Sequence, residues 1–200
     1  QVSYYYDIIT ANYEICDAWR QGALEFIAQQ RPDLVIMGSR NYPFTPEQWI
    51  TGTETVLKRL TPVAGSVIIM SPTPDLGFDG PNCLTMKANV PTWMPHHGRC
   101  ETRLDLPSSP GIRQLLAKAA SPYSNVGVID LSESVCPNAT CRARLSGDIV
   151  FRDSQHLTAS FVLSLASVFE QALDTAGAFQ QSQTSPDSLD DSRSTRDTVQ

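Results

Sequence analysis

An acidic residue and a histidine, Asp153 and His156, are three residues apart and could carry out chemistry together. They follow the apolar run at residues 149–151 and precede a helical pattern of apolar residues, which predicts a strand-to-helix loop. An Asp there can accept a hydrogen bond from one imidazole nitrogen and leave the other free to take a proton from a hydroxyl nucleophile. The alternative interpretation is a surface Asp that caps a loop beside a partly exposed His.

Other residue types with chemical potential are weaker candidates. Ser39 follows a predicted strand and is the internal candidate for a nucleophile, but an ordinary loop serine needs no functional explanation. His96 and His97 suggest a metal site, yet adjacent histidines in an extended loop point apart, and no fourth ligand has suitable spacing. Cys100, beside them, is expected to be oxidised. The sequence therefore predicts no metal and no cofactor.

The cysteines indicate an oxidising compartment, because four of the five can form local pairs. Cys136 and Cys141 can close a tight loop, and Cys83 and Cys100 can close a long proline-rich segment. Cys16 is left over. It is either a buried free thiol or a residue whose disulfide partner lies upstream.

Length and composition favour one domain, since 200 residues with 41% hydrophobic content can bury one sizeable core. The net charge of −6, without a cluster of basic residues in the sequence, argues against nucleic acid or an anionic membrane surface as the main partner. No apolar run approaches the ~18 residues that span a bilayer. We expect a domain over residues 1–177, cut from a larger protein, and a disordered polar tail over residues 178–200.

The apolar pattern predicts alternating helices and strands. Strands are expected at residues 34–37, 67–70 and 126–131, and the first two are continuous apolar runs typical of strands covered on both faces. Helices are expected at about residues 17–30, with Trp19, Ala23, Leu24 and Ile27 on one apolar face, at 45–60, from Ser109-Pro110, and as one pattern after residue 158. Residues 2–9 are either an edge strand or a loop, and residues 149–151 are either a short strand or an extended lead-in.

This alternation predicts a parallel sheet between helical layers, with sites at the carboxyl ends of the strands. Gly38 to Asn41, Ser71 onward and Asp130 onward all lie at such ends. The long segment 71–109 is expected to be ordered and to line a site, because the Cys83–Cys100 pair can hold it.

Six stretches, in their order, resemble the SGNH hydrolase family. More narrowly, they resemble the SGNH domain fused to an acyltransferase-3 membrane domain in bacterial surface-glycan O-acyltransferases. The stretches, which span about residues 16–175, are Cys16-Asp-Ala-Trp19-Arg20, Pro32-Asp-Leu-Val-Ile36, Pro81-Asn-Cys83-Leu84, Val128-Ile-Asp130-Leu131, the pair Cys136 and Cys141, and Arg152-Asp153-Ser-Gln-His156-Leu157-Thr158.

The resemblance implies a three-layer α/β sandwich with a central parallel sheet, of flavodoxin-like, SGNH hydrolase type. It implies that His156 is a general base and that Asp153 orients it. It also implies a serine nucleophile in a Gly-Asp-Ser block at the end of the first strand. No such block occurs here, so we expect it upstream of residue 1, with the partner of Cys16. Gly38 and Asn41 become oxyanion-hole candidates, although their spacing departs from the family's Gly-x-Asn-Asp.

The function that the resemblance implies is transfer of an acyl group, in particular acetyl, to or from sugar hydroxyls of a cell-surface glycan. The partners are then a glycan or acyl-ester substrate and an N-terminal acyltransferase-3 membrane domain, and the expected location is extracytoplasmic and membrane-tethered. One alternative is a non-catalytic glycan-binding or structural module with the same fold. The other is a secreted carbohydrate esterase.

Overall fold

The structure is a computed structural model of the 200-residue chain, and it describes residues 5–6, 11–12, 14–88, 99–104 and 111–179. The helices in these residues are α1 (Glu14–Gln30), α2 (Pro46–Leu60), α3 (Gly80–Ala88), α4 (Ile112–Ala120), α5 (Ser132–Val135), α6 (Ala159–Ser164) and α7 (Ala166–Thr175). The strands are β1 (Tyr5–Tyr6), β2 (Ala11–Asn12), β3 (Leu34–Gly38), β4 (Ser66–Met70), β5 (Glu101–Arg103), β6 (Val126–Ile129), β7 (Thr140–Arg142), β8 (Arg144–Leu145) and β9 (Asp148–Ile149). None of these helices combines the length and the apolar character that crossing a membrane requires.

The central element is a three-stranded parallel sheet with the order β3-β4-β6. Leu34 lies opposite Ser66, and Val67 lies opposite Val126. Four of the five residues of the middle strand β4 are buried. The predicted parallel sheet and its three strands are therefore confirmed.

Helices cover both faces of this sheet, as the three-layer prediction requires. On one face, α1, α2 and α4 pack on the strands through a group that we call the sheet cluster. Its buried residues are Leu24, Trp49, Leu57, Leu60, Ala64, Val67, Ile69, Leu115, Leu116 and Ala120. On the other face, α7 packs around Ile68 and Ile129. Gly127 permits a close approach there, because a Cβ atom would lie 2.5 Å from the Ala176 carbonyl oxygen.

The helix α2 starts where the sequence predicts. The Thr45 hydroxyl accepts a hydrogen bond from the Gln48 backbone N–H, and the Gln48 side chain accepts one from the Thr45 N–H. Pro46 occupies the first helical position. This reciprocal capping box satisfies two backbone donors that the helix cannot pair internally.

The strand β3 departs from its prediction. Ile36 is 47% exposed, so β3 is only partly covered on the α7 face, where Leu34 packs against the cluster of Ile68 and Ile129. In the described residues β3 is an edge of the three-stranded sheet. The cluster on the α7 face is centred on Ile68 of β4 and Ile129 of β6, and it does not bury Ile36.

Three helix details also differ from the sequence prediction. Helix α4 begins at Ile112 with Gly111 as its N-cap, and Ser109-Pro110 lies outside the described residues. The helix predicted after residue 158 is two helices, because Leu165 has ψ near 0° and its N–H bonds to the Val162 carbonyl in a tighter turn. Trp19 is 70% exposed, so the buried face of α1 does not include it.

A second hydrophobic core, which we call the cystine cluster, lies among short elements and loops. Its buried residues are Leu76, Cys100, Val135, Cys136, Cys141, Ala143, Val150, Phe151 and Phe161. The two predicted disulfides, Cys83–Cys100 and Cys136–Cys141, are both present. Cys16 is half-buried and forms no disulfide with any described residue.

The segment 71–109 contains the helix α3 and the strand β5, neither of which the sequence pattern predicted. Residues 89–98 and 105–110 lie outside the described residues, so its expected role in lining a site stays a prediction. The disorder predicted over residues 178–200 also stays a prediction, since residues 180–200 lie outside the described residues. Ala178 is 4% exposed and packs with Ile68 and Ile129.

Candidate active site

The structure brings Asp153 and His156 into direct contact. The Asp153 Oδ2 atom lies 2.8 Å from Nδ1 of His156. The other carboxylate oxygen, Oδ1, accepts the backbone N–H of Gln155 at 2.8 Å and that of His156 at 2.7 Å. An Asp that bonds to N–H groups two and three residues ahead fixes a tight turn. The turn therefore sets the direction of the imidazole ring.

The base of this turn is closed by the backbone. Phe151 and Leu157 form an antiparallel bridge, and the Arg152 N–H donates to the His156 carbonyl at 2.9 Å. Phe151 is fully buried in the cystine cluster, and Thr158 caps α6 by accepting the Phe161 N–H. The loop is thus held by a buried residue before it and a helix start after it.

The loop lies near the carboxyl edge of the parallel sheet. Its Ser154 carbonyl accepts the N–H of Leu76 at 2.9 Å and that of Gly77 at 3.3 Å, in the segment that follows β4. Leu157 lines an apolar cavity of about 430 Å³ together with Ser71 and Leu131. Ser71 is the first residue after β4, and Leu131 is the second residue after β6. This is the edge at which parallel α/β sheets place their sites.

The hydrogen bonds at Asp153 lower the pKa of its carboxyl from 3.8 to about 2. The largest cause is the backbone N–H of His156, followed by the N–H of Gln155 and the His156 ring, all of which favour the charged carboxylate. Arg152 adds a cation whose Nε lies 3.7 Å from Oδ2. An ionised Asp153 assigns the proton of a neutral His156 to Nδ1, so Nε2 keeps its lone pair.

The His156 side chain is 63% exposed, so a reactant can reach it from solvent. A ring with a fixed tautomer, an ionised partner and an accessible Nε2 is equipped to accept a proton from a hydroxyl group.

The other candidates lie at the carboxyl end of β3. Gly38 is its last residue, Ser39 and Asn41 follow it, and all three are exposed. Within the described residues, no hydrogen bond or ion pair joins Ser39 or Asn41 to Asp153 or His156. The structure thus assembles the acid–histidine pair, and it leaves the nucleophile and oxyanion assignments as predictions.

No metal site is assembled by the part of the chain that the structure describes, in which no three potential ligands cluster. His96 and His97 lie outside the described residues. Cys100 is oxidised in its disulfide, as expected, and therefore cannot supply a thiolate ligand.

Comparison with known proteins gives a family and a fold. A family model described as "SGNH domain (fused to AT3 domains)" matches residues 3–171. Among solved structures, the periplasmic domain of a lipopolysaccharide acetyltransferase from Salmonella ser. Paratyphi A matches with a TM-score of 0.51 and 16% sequence identity. The match covers 76% of this chain and 62% of that one, and at such identity it shows a shared fold. No curated protein matches the sequence.

Proposed function

The chain belongs to the family of SGNH domains that are fused to AT3 domains, and from this membership we propose that it transfers an acyl group on a glycan. The acyl group is acetyl, and it moves to or from a sugar hydroxyl of a cell-surface glycan. The observation that carries the proposal is the contact of 2.8 Å between Asp153 and the His156 ring beside the sheet edge.

In the proposed reaction, a serine hydroxyl attacks the carbonyl carbon of the acyl ester while Nε2 of His156 takes the hydroxyl proton. The ester C–O bond breaks, His156 gives that proton to the leaving oxygen, and an acyl-serine remains. A sugar hydroxyl then attacks the acyl-serine, and His156 moves its proton to the serine oxygen. Water takes the place of the sugar if the domain acts as an esterase.

Asp153 has two tasks in this reaction. It accepts the Nδ1–H of His156, which keeps Nε2 directed at the reactant, and its negative charge stabilises the imidazolium that forms. The backbone N–H of Gly38 and the side-chain amide of Asn41 are the proposed donors to the oxyanion. Removing one such donor typically costs on the order of a hundredfold in rate.

The serine is proposed to lie on an additional parallel strand that pairs with the free edge of β3. One observation supports this position: β3 is an edge strand in the described residues, so its outer side pairs with no other strand among them. Such a strand would end at the same carboxyl edge as Gly38. Ser39 remains the internal alternative.

The domain is proposed to work outside the cytoplasm, tethered to the membrane by an AT3 domain in the same protein. Its two disulfides support an oxidising compartment. The family description supports the AT3 partner.

The test measures hydrolysis of p-nitrophenyl acetate by two proteins: the 200-residue chain, and a version extended by the residues that precede Gln1 in its gene. In the extended protein, His156→Ala is expected to lower the rate about 10²–10⁴-fold, because the general base is lost. Gln155→Ala, in the same loop, keeps the backbone N–H that Asp153 needs and should leave the rate unchanged. The 200-residue chain should be no faster than its His156→Ala variant.

Two results would contradict parts of this proposal. If the 200-residue chain is faster than its His156→Ala variant, and Ser39→Ala abolishes the difference, the nucleophile is Ser39. If neither protein depends on His156, the enzyme assignment is wrong and a non-catalytic module with this fold is favoured.

A further inference from the structure

A cleft of about 610 Å³ opens beside the cystine cluster and is lined by four cationic side chains. We call it the basic cleft. The four cations are Lys87, Arg99, Arg142 and Arg144. No stretch of the sequence shows this concentration of positive charge, and the chain as a whole carries −6. Folding therefore gathers the cations from separate segments onto one surface of an acidic protein.

The positive charge of the basic cleft is only partly neutralised. The Glu101 carboxylate has its Oε2 atom 3.2 Å from Nε of Arg142 and its Oε1 atom 3.8 Å from a guanidinium nitrogen of Arg99. Lys87 and Arg144 form no ion pair within the described residues. Among the described residues, Glu101 therefore pairs with two of the four cations, and the remaining positive charge attracts anions.

The scaffold under these cations is cross-linked. The Cys83–Cys100 disulfide joins helix α3, which carries Lys87, to the residue before β5. Strand β5 pairs with β7, and the Ala143 N–H between Arg142 and Arg144 donates to the Cys100 carbonyl at 2.9 Å. A ligand would therefore meet cations on a backbone that is already in place, which lowers the entropy cost of binding.

The cleft and the candidate active site share one stretch of backbone. Arg144 lies opposite Ile149 in the β8–β9 hairpin, and the chain runs from Ile149 directly into the loop of Asp153. The Val150 N–H donates to the Ala143 carbonyl at 3.0 Å. An extended ligand held in the cleft would consequently lie on the hairpin that leads to His156.

We propose that the basic cleft binds the anionic groups, carboxylate or phosphate, of an acidic glycan. This inference rests on the proposed function and narrows its substrate to glycans that carry negative charge. Arginine and lysine are the side chains that bind carboxylate and phosphate groups.

Other anionic partners fit the basic cleft less well. A membrane surface is usually bound by cations together with exposed apolar side chains, but Leu84, the large aliphatic residue of the lining, packs against the cystine cluster. Single-stranded nucleic acid is usually bound with aromatic side chains on which bases stack, and the lining contains none among the described residues.

The test uses isothermal titration calorimetry on the 200-residue chain. The probes are a galacturonate trisaccharide, a maltotriose phosphate, neutral maltotriose, and vesicles that contain phosphatidylglycerol. The test variant is Lys87→Gln with Arg144→Gln, which breaks no ion pair in the described residues. The matched control is Lys118→Gln, an exposed lysine on α4 away from the cleft. Circular dichroism checks that each variant is folded.

We expect one or both charged oligosaccharides to bind, and the double variant to bind at least about tenfold more weakly. Lys118→Gln should change the affinity less than twofold. Binding of the galacturonate alone identifies carboxylate as the ligand group, and binding of the phosphate alone identifies phosphate.

Three outcomes would overturn the inference: no binding of either charged sugar, equal binding of maltotriose, or binding of the vesicles without binding of the sugars. The variant His156→Ala separates this inference from the proposed function. It should keep its affinity for the charged sugar while the extended protein loses ester hydrolysis. Binding without His156-dependent catalysis would refute only the function, and catalysis without binding would refute only the inference.

Discussion

The sheet cluster and the cystine cluster are two cores built on different physical principles. The sheet cluster is made almost entirely of apolar side chains on long helices and parallel strands. The cystine cluster takes three of its buried residues from cysteines, and its helices and strands are short. Hydrophobic burial stabilises the first. Cross-links and individual hydrogen bonds contribute much more to the second.

The loop of the candidate catalytic pair is held by the second core. Phe151 and Leu157, which close the loop of Asp153 and His156, pack in the cystine cluster. Backbone hydrogen bonds also connect the two. The Cys100 carbonyl accepts the Ala143 N–H, the Ala143 carbonyl accepts the Val150 N–H, and the Val150 carbonyl accepts the Thr158 N–H. The sheet cluster therefore supplies the platform, and the cystine cluster positions the candidate pair.

The largest loss of stability is expected from a substitution that leaves a cavity in the sheet cluster. Leu57 is fully buried, so Leu57→Ala should lower the free energy of unfolding by about 2–5 kcal/mol. The same truncation at Leu163, which is 75% exposed, should cost less than about 0.5 kcal/mol. Urea denaturation followed by circular dichroism measures both. Equal losses would mean that the two sites do not differ in packing.

Removing the disulfides should destabilise the cystine cluster selectively. Replacement of Cys83 and Cys100 by serine should cost about 3 kcal/mol, and of Cys136 and Cys141 about 2 kcal/mol, because the loop entropy grows with length. The sequence separations are 17 and 5 residues. Denaturation under non-reducing conditions gives the two values.

Hydrogen exchange on the same variants sharpens the contrast. The amides of Val150 and Thr158 should lose protection, whereas those of Ile68 and Ile69 in β4 should keep most of theirs. If β4 loses protection to the same extent, the two cores unfold as one unit and the distinction between them is wrong.

The smallest effect is expected in the dependence of folding stability on pH at acidic values. The folded-state pKa of Asp153, about 2, lies below its ordinary value of 3.8, so its charge stabilises the fold above pH about 4. This contribution is lost as the pH falls through about 2. As the pH is lowered from about 4 to about 2, the free energy of unfolding should therefore fall more steeply in the wild type than in Asp153→Asn.

An NMR titration of the Asp153 carboxyl tests the same point directly. Its midpoint should lie near pH 2, and His156→Ala should raise it by removing the donor on the ring. A midpoint near 4 in the wild type would show that the hydrogen bonds at Asp153 do not persist in solution.

The sequence predicted the sheet region well, because its signals are periodic and local. The apolar run of β4 predicts that strand, and the capping residues Thr45 and Gln48 predict the start of α2, without any contact between distant residues. The prediction was wrong at Ile36, where an apolar run is compatible with both a covered strand and an exposed edge. It was also wrong at Leu165, because a break of one residue between two helices leaves the apolar spacing almost unchanged.

The cystine region was harder to predict, because its order comes from contacts between distant residues. The cysteine spacing correctly gave both disulfides. It could not give α3 or the basic cleft, since Lys87 and Arg144 meet only after the chain has folded. The Asp153–His156 contact was expected because its two residues are close in sequence.

Both disulfides lie in the cluster that holds the loop of His156, so we expect the geometry of this loop to depend on redox conditions. In a copy of the chain kept under reducing conditions, we expect the parallel sheet to form while the β8–β9 hairpin, which leads into the histidine loop, loses the covalent support of the nearby disulfides. Under the proposed function, a newly made protein would acquire an active histidine only in an oxidising compartment, and acyl esters inside the cell would be spared without any inhibitor.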